Sequence, residues 1–249
     1  MLKPSSLVRH LAREHHRGPL GSYLKEIVYG GNDGIVTTFA IVSGFSGASL
    51  NVNDITTLSF FTVLLFGFAN LFADAISMGL GNYLASKSEK DLYKKDKEKE
   101  FKEILDNTKS ETVETLDILQ AQGFSKEDSA TLTNIYEKNP KYWTNWMMNY
   151  ELETPNPEKT NLLLTSLSTF LAFIIFGLIP LLPYIFFQGN VLQAFVTAVA
   201  ATIGALSLLG ILKWVVTGGK LIRAVGEFVL IGGIASLVAF LVGTFFKGI

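Results

Sequence analysis

The chain has 249 residues, 49% of them hydrophobic, a formal net charge of −1 and no cysteine. The near-neutral charge excludes the basic excess of a nucleic-acid binder. Without cysteine there are no disulfides, zinc fingers or thiolate sites, so any metal must be held by oxygen, imidazole or thioether. Mean hydropathy is +0.34, but the apolar residues are concentrated in two zones, 34–84 and 162–246, with most charges before and between them. A soluble domain would instead interleave charge through amphipathic helices.

Residues 1–26 form a basic, polar leader with no apolar stretch and no small-residue cleavage site, which reads as a cytosolic segment and not as a secretory signal. Its histidines, His10, His15 and His16, make a poor preformed ligand set, because adjacent residues on a helix project in different directions. Five spanning helices follow, at 27–49, 58–86, 162–187, 191–216 and 225–246. Each is near the roughly 20 residues that cross a hydrocarbon core of about 30 Å. The connections at 51–54 and 188–190 are short. Residues 87–160 form a polar insert, and 161–249 hold the last three spans.

The basic residues of the leader, of the start of the insert and of Lys213, Lys220 and Arg223 fall on one side of this scheme. Such residues favour the cytosol, so the N-terminus and insert face inward. A bacterial inner membrane and a vacuolar-type membrane both satisfy this topology. Pro180 and Pro183 break the third span, which a packed bundle tolerates. Gly204, Gly210, Gly226, Gly232 and Gly233 suit close helix packing.

Charges within the apolar zones carry the chemistry. Glu26 and Asp33 are seven residues apart and fall within about 20° of one helix face, with Thr37 one turn deeper. Asn70, Asp74 and Met78 follow at steps of four on the second span. A carboxylate inside a membrane helix is costly unless it pairs, protonates or faces water, which marks a functional residue. The alternatives are a helix-start charge for Asp33 and an interhelical hydrogen bond for Asp74. Carboxylate oxygen beside the Met78 thioether suits Fe²⁺, Co²⁺, Zn²⁺ or Mn²⁺ better than Mg²⁺ or Ca²⁺. Glu227 reads either as a lining carboxylate or as an interfacial residue.

The first part of the insert, 88–120, lacks Gly and Pro and reads as a continuous helix extending the second span. On that helix Glu100, Glu103, Glu111 and Glu114 fall within about 80° of arc, while Lys94, Lys95, Lys99, Lys102 and Lys109 project elsewhere. The two Glu pairs would be about 16 Å apart along the axis, so the row implies several ions or a second helix completing each site. Ser125-Lys-Glu-Asp128 resembles a capping start for a segment running to Lys138. After Asn139-Pro140, Met147, Met148 and Glu151 share one side of a short helix. The competing reading makes the Met pair and neighbouring aromatics a small core and the Glu row a solvated face. A di-iron oxidase would want Glu-x-x-His pairs, and the insert has no histidine.

Three segments together resemble the vacuolar iron transporter family: Glu26-Ile-Val-Tyr-Gly-Gly-Asn-Asp33-Gly-Ile-Val-Thr-Thr, Ala73-Asp-Ala-Ile-Ser-Met-Gly-Leu-Gly-Asn-Tyr-Leu-Ala-Ser-Lys-Ser-Glu89, and Phe176-Gly-Leu-Ile-Pro-Leu-Leu-Pro-Tyr184. The resemblance covers nearly the whole chain. It implies an all-α membrane protein: a dimer of five-helix bundles, with a cytosolic metal-binding insert between helices two and three and a metal path between the first two helices. It further implies export of Fe²⁺, or Mn²⁺, from the cytosol in exchange for protons, with no prosthetic group and no enzymatic activity. Asp33 and Met78 match pathway ligands, and Glu26 matches a carboxylate nearer the cytosolic mouth. Glu100, Glu103, Glu111, Glu114, Met147, Met148 and Glu151 match a metal-collecting domain. One departure stands out: plant-type members carry Glu where this chain has Asn70, and here the carboxylate is Asp74, one turn further along. A metal sensor that binds through the insert without transport is the alternative function.

Overall fold

The computed structural model describes residues 19–49, 57–157, 161–187 and 190–245. His10, His15, His16 and the connection at 51–54 lie outside the described residues. Every described secondary-structure element is helical. After one turn at Pro19–Ser22 come α1 (Leu24–Ser49), α2 (Thr57–Asp106), α3 (Thr108–Ala121), α4 (Lys126–Glu137) and α5 (Pro140–Tyr150). Then follow α6 (Leu162–Leu178), a 3₁₀ turn at Ile179–Leu181, α7 (Leu182–Phe186), α8 (Val191–Thr217) and α9 (Leu221–Phe245). Two compact units result, one of Met1–Asn82 with Leu163–Ile249 and one of Tyr83–Leu162.

Among the described residues four helices are long and apolar enough to cross a membrane: Phe60–Asp106, Leu162–Phe186, Val191–Thr217 and Leu221–Phe245. Sequence analysis expects five. The helix that does not qualify is α1, whose 26 residues suffice in length but include Glu26, Asn32, Asp33, Thr37, Thr38, Ser43 and Ser46. These polar groups lower its hydropathy, and several are held inside the unit. Thr38, Ser43 and Ser46 are all but inaccessible. Ser43 donates to the Ser236 carbonyl at 3.1 Å, and the Ser46 and Tyr184 hydroxyls meet at 2.9 Å. A polar helix surrounded by apolar ones avoids presenting its hydroxyls to an apolar solvent. Leucine, isoleucine and phenylalanine project outward on the other helices, including Phe61, Leu65, Phe72, Ile76, Leu80 and Leu84 on α2. That much exposed apolar surface is stable only in an apolar solvent.

Glycine sets the spacing around α1. A Cβ at Gly30 would lie 2.5 Å from the Thr169 carbonyl oxygen, and one at Gly34 would meet the Phe173 carbonyl. The obstacles are backbone atoms on α6, which cannot swing away. Of the glycines expected to mediate packing, Gly210 and Gly232 do face neighbours, whereas a Cβ at Gly204, Gly226 or Gly233 would meet nothing. Further close approaches, at Gly30, Gly31, Gly34 and Gly47, lie on α1, where none was expected. Pro180 sits in the 3₁₀ turn and Pro183 opens α7, so the third expected span is a broken helix. Glu227 is ion-paired: Lys213 reaches it at 2.6 Å and Arg223 at 3.1 Å, fastening α8 to α9.

In the second unit the structure departs from the expected continuous helix. α2 stops at Asp106, and Asn107 leaves helical geometry at φ −127°, ψ 38° before α3 begins. Asn107 still donates from its N–H to the Glu103 carbonyl at 2.8 Å, and its own carbonyl accepts from Ser110 at 2.9 Å. One helix thus ends and the next starts on the same residue, a role suited to asparagine, which tolerates non-helical backbone. Gly123, at φ +98°, turns the chain out of α3. The Ser125 hydroxyl accepts from the Asp128 N–H at 3.0 Å to cap α4, and Asn139 caps α5 with Pro140 in its first turn. Ile104, Leu119, Trp143, Trp146 and Met147 close the core.

The α1–α6 contact gives a stability prediction. Gly30→Val should destabilise the detergent-solubilised protein by about 1–3 kcal/mol, the usual cost of overpacking, and lower its melting temperature. Gly204→Ala should leave that temperature unchanged. Equal melting for both variants would contradict the described helix spacing.

Candidate metal centre

The turn at Asn107 changes what the Glu row can do. On a straight helix Glu100 and Glu111 would be about 16 Å apart. Here one ligand oxygen each from Glu100, Glu111 and Glu151 lies within 4.8 Å of the others. The expected pair of separated Glu sites is therefore replaced by one three-carboxylate cluster drawn from α2, α3 and the C-terminal end of α5. Glu100 and Glu111 are 3% and 5% exposed, and each has an oxygen with no hydrogen-bond partner in the fold. Glu151 is exposed, so the cluster has an open side.

Among the described residues no lysine pairs with this trio; Lys99 pairs with Glu103 at 3.3 Å and acts on Glu111 and Glu151 only from a distance. Burial pushes the Glu100 carboxyl up to about 8, with the charges of Glu151 and Glu111 adding to it, and Glu100 shares a hydrogen bond with Glu111. Burial also raises Glu111, followed by the charge of Glu114. Glu151 is raised by burial, then by Glu114, Glu111 and Glu103. A cluster that resists full ionisation holds protons until a cation replaces them.

The other expected insert ligands take different places. Glu103 and Glu114 are half-buried at the margin, Glu114 accepting from the Ser110 hydroxyl at 3.1 Å. Met147 is wholly buried in the core, where its sulfur accepts from Thr115 at 3.4 Å; Thr115 in turn accepts from the Trp143 indole at 2.8 Å. Met148 is equally buried but belongs to no described apolar cluster, and it lies one turn before Glu151 on the same face of α5. Of the two methionines, Met148 has the better placement for a soft ligand.

The second set lies on α1 and α2 in the first unit. Asp33 and Asp74 are both half-buried and close enough to interact electrostatically. The Asn70 amide donates to the Asp74 carboxylate at 2.6 Å. The two residues that depart from the plant-type pattern are thus bonded to each other. Met78, one turn on, packs against the apolar cluster of Phe39, Leu71, Ala75 and Phe173. Glu26 stands in the first turn of α1. Thr37 spends its hydroxyl on the Asp33 carbonyl at 2.8 Å. One residue escaped the sequence reading: the Asn32 side-chain oxygen is buried with no partner. Its signal was present, an amide beside Asp33 in an apolar segment.

The pKa directions fix how the metal-free insert responds to pH. Glu100, raised on folding, contributes stability that is fully present below its ordinary value of 4.5 and is lost as pH rises through about 8; Glu111 and Glu151, raised in the same direction, add to the same trend. Thermal unfolding of the chelator-treated protein, followed by tryptophan fluorescence, should therefore shift to lower temperature between pH 5 and pH 8. Glu100→Gln should flatten that slope, and an unchanged slope would contradict the assignment.

A model of the VIT family matches residues 24–244. The chain is 38% identical to a vacuolar iron transporter of Centaurea cyanus over 94% of this chain and 91% of the relative. It is 34% identical to vacuolar iron transporter 1 of Arabidopsis thaliana over 94% and 90%, and 34% identical to the Plasmodium falciparum vacuolar iron transporter over 90% and 82%. With a family match across most of its length and relatives of this similarity covering it nearly end to end, the chain belongs to the VIT family.

Proposed function

We propose that this protein is a transporter of divalent transition metal, Fe²⁺ or Mn²⁺, that moves the ion out of the cytosol in exchange for protons. The observation that carries the reading is the carboxylate pair Asp33 and Asp74 set inside helices of an apolar bundle, in a chain whose relatives are named vacuolar iron transporters. An enzyme or a soluble metal store has no need of charge within apolar helices, whereas a moving cation does. Five spans, α1 included, two-fold assembly and a cytosolic insert complete the proposed architecture.

Glu100, Glu111 and Glu151 capture the ion in the insert, assisted by Glu103, Glu114 and Met148. Met147 serves mainly as core. Within the membrane, Asp33, Asp74 and Met78 hold the ion, with Glu26 nearer the cytosolic entry and the unpartnered Asn32 oxygen available as a neutral ligand. Thioether with carboxylate favours Fe²⁺ or Mn²⁺ over Mg²⁺. Asn70 steers the Asp74 carboxylate, so the shifted acid keeps a fixed orientation. Proton uptake by one of the carboxylates releases the ion on the far side.

Fe²⁺ uptake into proteoliposomes with an acidic lumen tests this reading. The Asp33→Ala/Asp74→Ala double variant should fall to the protein-free rate, and survival of uptake would falsify the mechanism. Mn²⁺ should compete with Fe²⁺, while Mg²⁺ in similar excess should not. Changing Glu100, Glu111 and Glu151 together to Gln should raise the Fe²⁺ concentration for half-maximal flux at least tenfold, with the maximal rate largely retained. Metal binding with no flux at all would favour the sensor.

A further inference from the structure

The insert has a second cavity of opposite sign. Two helices line it, each with one stripe: Lys94, Lys97, Glu98, Phe101 and Lys102 from α2, and Lys141, Thr144 and Asn145 from α5. The α2 residues recur at steps of three and four, which places them on one helix face. The cavity encloses about 540 Å³, within the range of roughly 300–1,000 Å³ usual for small-molecule sites.

Four lysines face this space against a single glutamate. Among the described residues none of the four lies in an ion pair; the insert's one described pair uses Lys99, which does not line the cavity. Lys97 instead lies 5.6 Å from the centroid of the buried Tyr93 ring. The neutral polar groups are already occupied in part, as Thr144 donates to the Pro140 carbonyl at 2.8 Å and the Asn145 amide to the Lys141 carbonyl at 2.6 Å. The donors that remain are chiefly ammonium groups. Like charges gathered around the rim of one concavity raise its positive potential, which attracts an anion of high charge density.

We propose that this cavity is a binding site for a small anion carrying two or more phosphate groups. Lysine ammoniums act as point charges toward phosphate and lack the planar fork by which arginine selects a carboxylate. Four of them match an anion of several charges better than a single carboxylate. Phe101 and the methylene stems of the lysines give the cavity an apolar floor, which fits phosphate carried on an organic body. A phosphorylated lipid headgroup and a dissolved polyphosphate share this chemistry. The site is separate from the carboxylate cluster and does not depend on the metal reading.

Amine footprinting of the whole protein in nanodiscs, without metal and at low salt, tests the site. Acetylation is read by mass spectrometry with tripolyphosphate as the dissolved probe, in phosphatidylcholine discs and in discs that also contain a bisphosphorylated phosphoinositide. The expected result is at least fivefold protection of Lys94, Lys97, Lys102 and Lys141, with Lys109, Lys126 and Lys138 unprotected. Protection by tripolyphosphate in plain discs assigns a dissolved anion, and protection only in phosphoinositide discs assigns the lipid. Saturable binding measured by calorimetry should weaken at least tenfold when the four lysines are changed to Gln, and should persist in a Lys109→Gln/Lys126→Gln/Lys138→Gln control. Protection under neither condition, equal protection of all seven lysines, or unchanged binding by the fourfold variant would overturn the proposal.

Discussion

Buried negative charge without a basic partner is the constraint on which this structure turns. Glu100 and Glu111 are almost inaccessible, and their ligand oxygens lie within 4.8 Å of each other and of Glu151. Two full charges at that separation repel by roughly 3 kcal/mol at an effective dielectric of about 20. Among the described residues no lysine or arginine pairs with the trio, and Lys99 offsets only part of the repulsion from a distance. The same constraint holds for Asp33 and Asp74, where Asn70 offers a hydrogen bond but no charge.

Charge is sorted with some economy in the insert. α2 presents Glu100 to the carboxylate cluster, and from neighbouring positions it presents Lys94, Lys97 and Lys102 to the basic cavity. α5 does the same with Glu151 and Lys141. Because the two sets occupy different faces, neither cancels the other through short ion pairs. The carboxylate cluster keeps its negative potential and the cavity its positive one.

Much of the helical layout was legible in sequence because apolar runs of bilayer length leave little choice. The limits of α8 and the end of α9 fall close to those expected, whereas α6 stops at Leu178, before the expected end of its span at 187. The insert was legible as residue types and less so as geometry. Helical angles put Glu100 and Glu111 on one face, but they could not bring the two together, because that depends on Asn107 ending one helix and starting another. No Gly or Pro marked the break. Asn107 resembles any other polar residue in a charged run until its dihedrals are known. The methionines show a second limit, since spacing treats Met147 and Met148 alike and both are fully buried, yet only Met147 joins the described aromatic cluster. Glycine was legible in part: Gly210 and Gly232 meet neighbours as expected, Gly204, Gly226 and Gly233 do not, and further tight contacts sit at Gly30 and Gly34, where two backbones touch.

The central claim is that the turn at Asn107 builds one cation site out of residues that a straight helix would separate. Anomalous scattering from crystals of the protein grown with Mn²⁺ tests it most directly. The account predicts an ion bound jointly by Glu100, Glu111 and Glu151. Separate ions at Glu100/Glu103 and at Glu111/Glu114, or no ion at the trio in a protein that still transports metal, would contradict it.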